Sequence, residues 1–139
     1  MANVIEVAKA PISAYNERNW SKEKDVLAAD AVYDEKGTHR RIRGADAIIE
    51  AWQGWVKALN SEGTILSEFA SGDTAVFELV WKGVHSGPLQ TPIGVIPASN
   101  KPIEIPACQV IQVDGLKVKS ISHYFDLLTL LTQIGAAKA

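Results

Sequence analysis

A single carboxylate, Asp126, stands where the strand-like run "KVKSISHYF" gives way to the apolar run "LLTLLTQIG". An acid at such a junction has two possible uses. It can cap the helix that follows by accepting a backbone N–H, or, set in an apolar pocket, it can take up and return a proton. With Thr129 where a capping box would place Glu or Gln, both uses stay open. A regular strand over 117–126 would put Val118, Ser120, Ser122, Tyr124 and Asp126 on one face and Lys119, Ile121, His123 and Phe125 on the other. Lysines do not line apolar cavities, so the face of Tyr124 and Asp126 is predicted to be a cavity wall. Buried beside tryptophans and leucines, Asp126 would be poised as an acid/base near neutral pH.

His85, between two glycines in "WKGVHSGPL", is the second candidate. By parity it shares a strand face with Phe77, Leu79, Trp81 and Gly83, so it can bond a substrate oxygen or orient Asp126. Its plainer role is a structural histidine bonded to loop backbone. His39 and His123 are assigned to the surface or an interface. The three histidines show no HxH or HxxxH spacing, and no metal site or cofactor is expected. The chain also lacks GxSxG, GxxxxGKS and GxGxxG, which leaves serine hydrolase, nucleotidase and dinucleotide chemistry without support. Cys108 has no second cysteine to pair with and reads as an inert buried thiol.

These residues need elements to position them. At 139 residues, 47% hydrophobic and 22% charged with a net charge of -2, the sequence is predicted to form one soluble domain over 1–139. The short basic cluster His39–Arg43 reads as a solvated turn, and a nucleic-acid partner is not expected. No stretch has the makings of a signal peptide or a membrane span, which makes the cytoplasm the expected compartment.

Val4, Ile5, Ala8, Ile12 and Tyr15 recur at helical spacing and predict a first helix ending near Asn19, with Pro11 a kink or a late start. Ser21 is the expected cap of a short second helix in "KEKDVLAA", with Val26 and Leu27 turned inward. A hairpin turning at Lys36-Gly37 follows. Ile48, Trp52, Trp55, Val56 and Leu59 then mark the clearest helix, where Trp52 and Trp55 read as core. From Thr64 the period becomes two, with strands predicted over 64–70, 74–86, 102–113 and 117–125 and a long Pro/Gly-rich connection from Gly87 to Pro102. Helices first and a strand meander after imply an α+β fold, an antiparallel sheet curled over helices on one face.

Taken in order, "YNERNWSKEKDVLAADAVYD", "RIRGADAIIEAWQGW" and the strand meander resemble the nuclear transport factor 2-like superfamily. That resemblance implies a cone: a curved antiparallel sheet wrapped around three N-terminal helices, with a short C-terminal helix and a cavity at the wide end. Gly83, His85 and Gly87 in "GVHSG", together with "FDLLTLLTQIG", more narrowly resemble the SnoaL-like polyketide cyclases and related ester cyclases. There the carboxylate matched by Asp126 is the acid/base of a cofactor-free intramolecular aldol closure.

The superfamily also includes ketosteroid isomerases and epoxide hydrolases that use a carboxylate from elsewhere in the cone, a part for which Asp34, after Tyr33, is the candidate. "CQVIQV" departs from the cyclase pattern by carrying Gln109 and Gln112 where an arginine is common. On this reading the candidate catalytic residues are Asp126 and His85, and the candidate substrate-binding residues are Tyr15, Asp34, Trp52, Trp81, Gln109 and Tyr124. The implied activity is a cyclase or isomerase acting on a small apolar, oxygenated, polyketide-like molecule. A non-catalytic ligand-binding domain and an interaction module are the alternatives, with a homodimer through the outer sheet face expected in each case.

Overall fold

The computed structural model describes residues 3–137. Among these the chain forms helices α1 (Val4–Glu17), α2 (Trp20–Val26), α3 (Ala45–Leu59) and α4 (Leu127–Gln133), and strands β1 (Leu27–Glu35), β2 (Arg40–Arg43), β3 (Glu62–Ser71), β4 (Thr74–Val84), β5 (Leu89–Thr91), β6 (Gly94–Ile96), β7 (Pro102–Asp114) and β8 (Lys117–Phe125). Six strands make one sheet in the order β2-β1-β8-β7-β4-β3, and β5 and β6 pair separately. The neighbours run antiparallel except β1 and β8, which run parallel. The result is the expected α+β cone: α1, α2 and α3 fill the hollow of a curved sheet, and α4 closes one end.

Local chemistry sets the element ends. Asn3 accepts from Ile5 N–H to start α1, and Asn19, not Ser21, accepts from Lys22 N–H to start α2. Pro11 lies inside α1, buried. The Gly/Pro-rich connection after β4 holds the β5–β6 hairpin, which residue patterning left as loop. Register slips between Ile65 and Ser67, between Gln112 and Val113, and between Leu27 and Val32 help to bend the sheet. One core packs α1 and α3 on β1, β4, β7 and β8 through Ile12, Ile48, Phe77, Ile111 and Ile121, and a second joins the end of α3 to β5, β7 and α4 through Leu59, Leu89, Ile105 and Leu130.

The "GVHSG" element is a clamp between these cores. The N–H groups of Ser86 and Gly87 donate to Ala58 O at 3.0 and 3.1 Å, satisfying a carbonyl at the open end of α3. The approach is close enough that a Cβ on Gly83 would lie 2.2 Å from Leu59 O, and one on Gly87 2.3 Å from Lys57 O. His85, fully buried, holds the loop on the other side: its Nδ1 accepts from Ser99 N–H at 3.1 Å and meets the Ser99 hydroxyl at 2.8 Å. Of the two roles open to His85, the loop-bonded one is what the geometry provides.

Glu23 is the odd member of the helical layer. It is fully buried, neither carboxylate oxygen has a protein partner, and burial pushes its pKa up to about 9, against the lowering influence of Lys22. The folded state therefore holds a proton that the unfolded chain releases above the ordinary value of 4.5. Its contribution to stability is complete below that value and is lost as pH rises toward and through about 9. Glu23→Met should raise the melting temperature at pH 8 far more than at pH 4.5, because native stability falls by roughly 1 kcal/mol per pH unit between these points; equal gains at both pH values would contradict a neutral buried acid. For the clamp, Gly87→Ala should cost about 2 kcal/mol or more in urea unfolding. Gly54→Ala, in α3 with nothing within 4 Å of the added methyl, should gain about 0.5–1 kcal/mol.

Candidate functional site

Between α1, α3 and the inner face of the sheet lies a cavity with about 600 Å³ of empty space, part of it open to solvent. Its walls are aromatic and aliphatic: Tyr15, Tyr33, Trp52, Trp55, Trp81 and Phe125 with Pro11, Ile12, Leu59, Ile105 and Leu130. The polar groups set into them are Ser61, Gln109, His123 and the two phenols; among the described residues none with a formal charge lines the space. The rings meet edge to face, Tyr15 against Trp81 with centroids 5.2 Å apart and Tyr33 against Trp52 at 5.5 Å, which fixes the hydroxyls.

Tyr33, His123 and Trp81 form one hydrogen-bonded chain across three strands. Trp81 Nε1 donates to His123 Nε2 at 3.0 Å, and His123 Nδ1 meets Tyr33 Oη at 2.7 Å. An indole N–H can only donate, so His123 Nε2 carries a lone pair and the proton of the neutral ring sits on Nδ1. That N–H donates to Tyr33 Oη. The phenol hydrogen is the one left over, and the Glu35 carboxylate, which shares its face of β1 and accepts from this hydroxyl, competes with a ligand for it.

Burial lowers the His123 pKa to about 4, with the Glu35 charge opposing; a second ring proton would also face the indole N–H. Tyr33 is held well above the ordinary phenol range by burial and then by the Glu35 charge. Both groups stay neutral at physiological pH. On the other wall Tyr15 Oη and Ser61 Oγ lie 2.8 Å apart, two hydroxyls of which one hydrogen is consumed between them. Burial raises Tyr15 to about 12.

The predicted site residues divide in two. Tyr15, Trp52, Trp81 and Gln109 line the cavity. Asp126, Tyr124, Asp34 and His85 do not. Asp126 is exposed at the start of α4: Oδ1 accepts from Leu128 N–H at 3.0 Å and Oδ2 from the Thr129 hydroxyl at 2.8 Å. It is the helix cap, and the expected cavity position is corrected.

The cause is a one-residue bulge. Val113 pairs with Val118 but Gln112 pairs with Ser120, so Lys119 is extra and the strand's parity reverses beyond it. Ile121, His123 and Phe125 turn inward, and Tyr124, 42% exposed with the Lys36 ammonium 5.9 Å over its ring, faces out. His123, expected at the surface, is thus the central polar group of the cavity.

Asp34 also faces outward, paired with Lys36 at 2.8 Å and Arg41 at 3.9 Å. The inward carboxylate of β1 is its neighbour Glu35, fully buried behind the cavity wall. Its oxygens accept from Trp55 Nε1 at 2.7 Å, from the Thr38 hydroxyl at 2.5 Å and from Arg40 at 3.1–3.2 Å. So many donors hold the carboxylate in place behind the wall. The alternation Ala31, Tyr33, Glu35 was visible in the sequence; that a glutamate could take an inward place depends on Arg40 across the hairpin, which no local pattern announces.

Cys108 is half-buried on the outer face, its thiol pushed up by burial and then by Glu78. Among the described residues no group of three or more His, Cys, Asp or Glu side chains could hold a metal, and no helix is long and apolar enough to cross a membrane.

Solved structures share this architecture. A protein assigned as a SnoaL-like polyketide cyclase from Jannaschia sp. CCS1 superposes with a TM-score of 0.85 at 14% identity, over 96% of this chain and 92% of that one. A hypothetical protein with a ketosteroid isomerase-like fold from Catenulispora acidiphila, solved with trimethylamine, gives 0.76 at 23% identity over 95% and 94% of the two chains. An LEH-like epoxide hydrolase from M. tuberculosis gives 0.72 at 20% identity over 96% and 92%. At these identities the likeness speaks for the fold alone. No curated protein matches the sequence. The profile of the SnoaL-like polyketide cyclases matches residues 5–134, nearly the whole chain, and the protein belongs to that family.

Proposed function

We propose that the cavity takes a small, apolar, oxygenated, polyketide-like molecule and closes or isomerises it without a cofactor, with the Tyr33 hydroxyl polarising a substrate carbonyl. The observation that carries this reading is the Trp81–His123–Tyr33 chain on the wall of an uncharged cavity. Family membership supports a small-molecule cyclase or isomerase; the chain supplies the means.

A carbonyl oxygen beside Tyr33 accepts the phenol hydrogen. As the adjacent C–H proton leaves, the negative charge gathering on that oxygen is met by a donor whose own oxygen is steadied by His123 Nδ1–H. Fixed donors in an apolar cavity stabilise such a charge strongly, because they need no reorganisation when it forms. The proton flanked by two carbonyls passes to a water at the cavity's open side; the enolate carbon then bonds to the third carbonyl carbon, whose C=O opens to an alkoxide that takes the proton back, so the cavity's other task is to fold the chain ends together. Tyr33 acts here as donor, not base, in keeping with its raised pKa.

A second reading has its own observation: among the described residues no carboxylate lines the cavity, and both those singled out from the sequence lie outside it. On this reading the same walls bind the molecule without turning it over. We further infer a homodimer through the outer sheet face, where Val76, Val80, Cys108 and Val110 lie half-buried, and a cytoplasmic location, in keeping with the unpaired Cys108.

Turnover of a panel of neutral aryl β-diketones with a third carbonyl within ring-closing reach separates the two readings. Tyr33→Phe should lower kcat about 100-fold with little change in KM; unchanged kcat would remove Tyr33 from the reaction, and tight binding without turnover in the native protein would favour the second reading. The native rate should be flat from pH 5 to 8 and fall as pH drops through about 4, where His123 gains its second proton. Stability follows the same sign: the neutral ring's contribution is full above the ordinary value of 6.5 and is lost as pH falls through about 4, so His123→Phe should flatten the acid limb of thermal unfolding. Light scattering on the eluting protein, giving one chain's mass or two, tests the dimer.

A further inference from the structure

The polar groups of the cavity do not balance one another. The Tyr15–Ser61 pair has a hydrogen to spare after one hydrogen joins its two oxygens, and Tyr33, which receives from His123, has one that a ligand shares with Glu35. Gln109 has the opposite surplus. It is 5% exposed, it lines the cavity, and its Oε1 accepts from no protein group. It sits on the inward face of β7 in direct register with His123 on β8, which places its amide next to the Tyr33–His123 pair. A buried acceptor without a donor is costly, and a native cavity wall retains one where a ligand completes it.

The geometry points to Gln109 as the specificity-determining residue of the cavity, its amide oxygen accepting from a ligand hydroxyl while a spare hydroxyl hydrogen of the wall, that of Tyr33 foremost, donates to a nearby ligand carbonyl. The ligand class that satisfies both is a neutral β-hydroxy ketone, a molecule carrying a donor and an acceptor on one edge and otherwise apolar. A plain ketone, even one that accepts from the amide N–H, would leave Gln109 Oε1 without a donor. A carboxylic acid would bring a charge into a space whose lining has none to meet it. This rests on the cavity being the ligand site and refines what that site reads.

The test compares three neutral probes of nearly equal bulk: dihydrochalcone, its β-hydroxy derivative and its β-methoxy derivative. Binding is followed by quenching of the cavity tryptophans and by calorimetry. The native protein should hold the β-hydroxy ketone about tenfold tighter than dihydrochalcone, as one hydrogen bond to an otherwise orphaned group warrants. The methoxy compound, which accepts but cannot donate, should show no such gain. Gln109→Leu, checked for an unchanged melting temperature, should abolish the preference, so that the hydroxy and deoxy probes bind with equal affinity.

Equal affinity of the native protein for the hydroxy and deoxy probes, or a gain from methoxy equal to that from hydroxy, would overturn the assignment to Gln109 while sparing the cavity reading. So would a Gln109→Leu loss that is the same for all three. Failure of any probe to bind would overturn both. The comparison among probes uses the native chain, so it decides the matter even if the variant does not fold.

Discussion

An indole N–H has one thing to offer, and in this protein that fact fixes the character of the whole cavity. Trp81 donates to His123, so the imidazole has its proton on the opposite nitrogen, so Tyr33 receives a hydrogen and keeps its own to give. Neither ring nor phenol ionises easily in such surroundings. What the aromatic walls enclose is therefore a set of neutral donors and one unanswered amide. Chemistry in such a space works by placing hydrogen bonds where charge will develop, not by supplying charge beforehand.

The fold holds that chain together through two packed layers. The rings of Tyr15, Tyr33 and Trp52 are wedged edge to face under α1 and α3, while strands β1, β8 and β4 supply Tyr33, His123 and Trp81. Behind the wall Glu35, tied to Arg40 and Trp55, fixes the turn of the β1–β2 hairpin and imposes a negative charge near the phenol. The clamp of Gly83, His85 and Gly87 keeps the end of α3 against the sheet. A motif that looked catalytic is structural, and a histidine that looked peripheral is central.

Much of this was legible from residue types and spacing. The helical stripe of Ile48, Trp52 and Leu59, the strands after Thr64 and the layered α+β class follow from periodicity, which reports burial directly. Membership of the cone-shaped fold was legible too, through motifs spread over the chain. Four of the cavity's residues, Tyr15, Trp52, Trp81 and Gln109, were among those picked out. The misplacement of Asp126 and Tyr124 has one source, Lys119, whose bulge swaps inside for outside over the rest of β8. Alternation carries phase only while pairing stays regular, and nothing in "DGLKVKSIS" marks where it slips. Glu35 and Glu23 defeated the pattern differently, since a buried acid shows itself only through partners distant in sequence or through the proton it keeps.

The parallel pairing of β1 with β8 brings Tyr33 within reach of a histidine 90 positions further along. A strand that belongs in the middle of the sheet is thus synthesised after all of its sheet neighbours. While a ribosome is still making the chain, β1 and β7 have no shared neighbour, the histidine of the hydrogen-bonded chain is missing, and greasy surface meant for the interior stands open to water. Closure must wait until β8 has been made. A nascent chain of this topology has reason to lean on chaperones until β8 is made, and a chain cut before β8 should yield insoluble material, not a weakened protein.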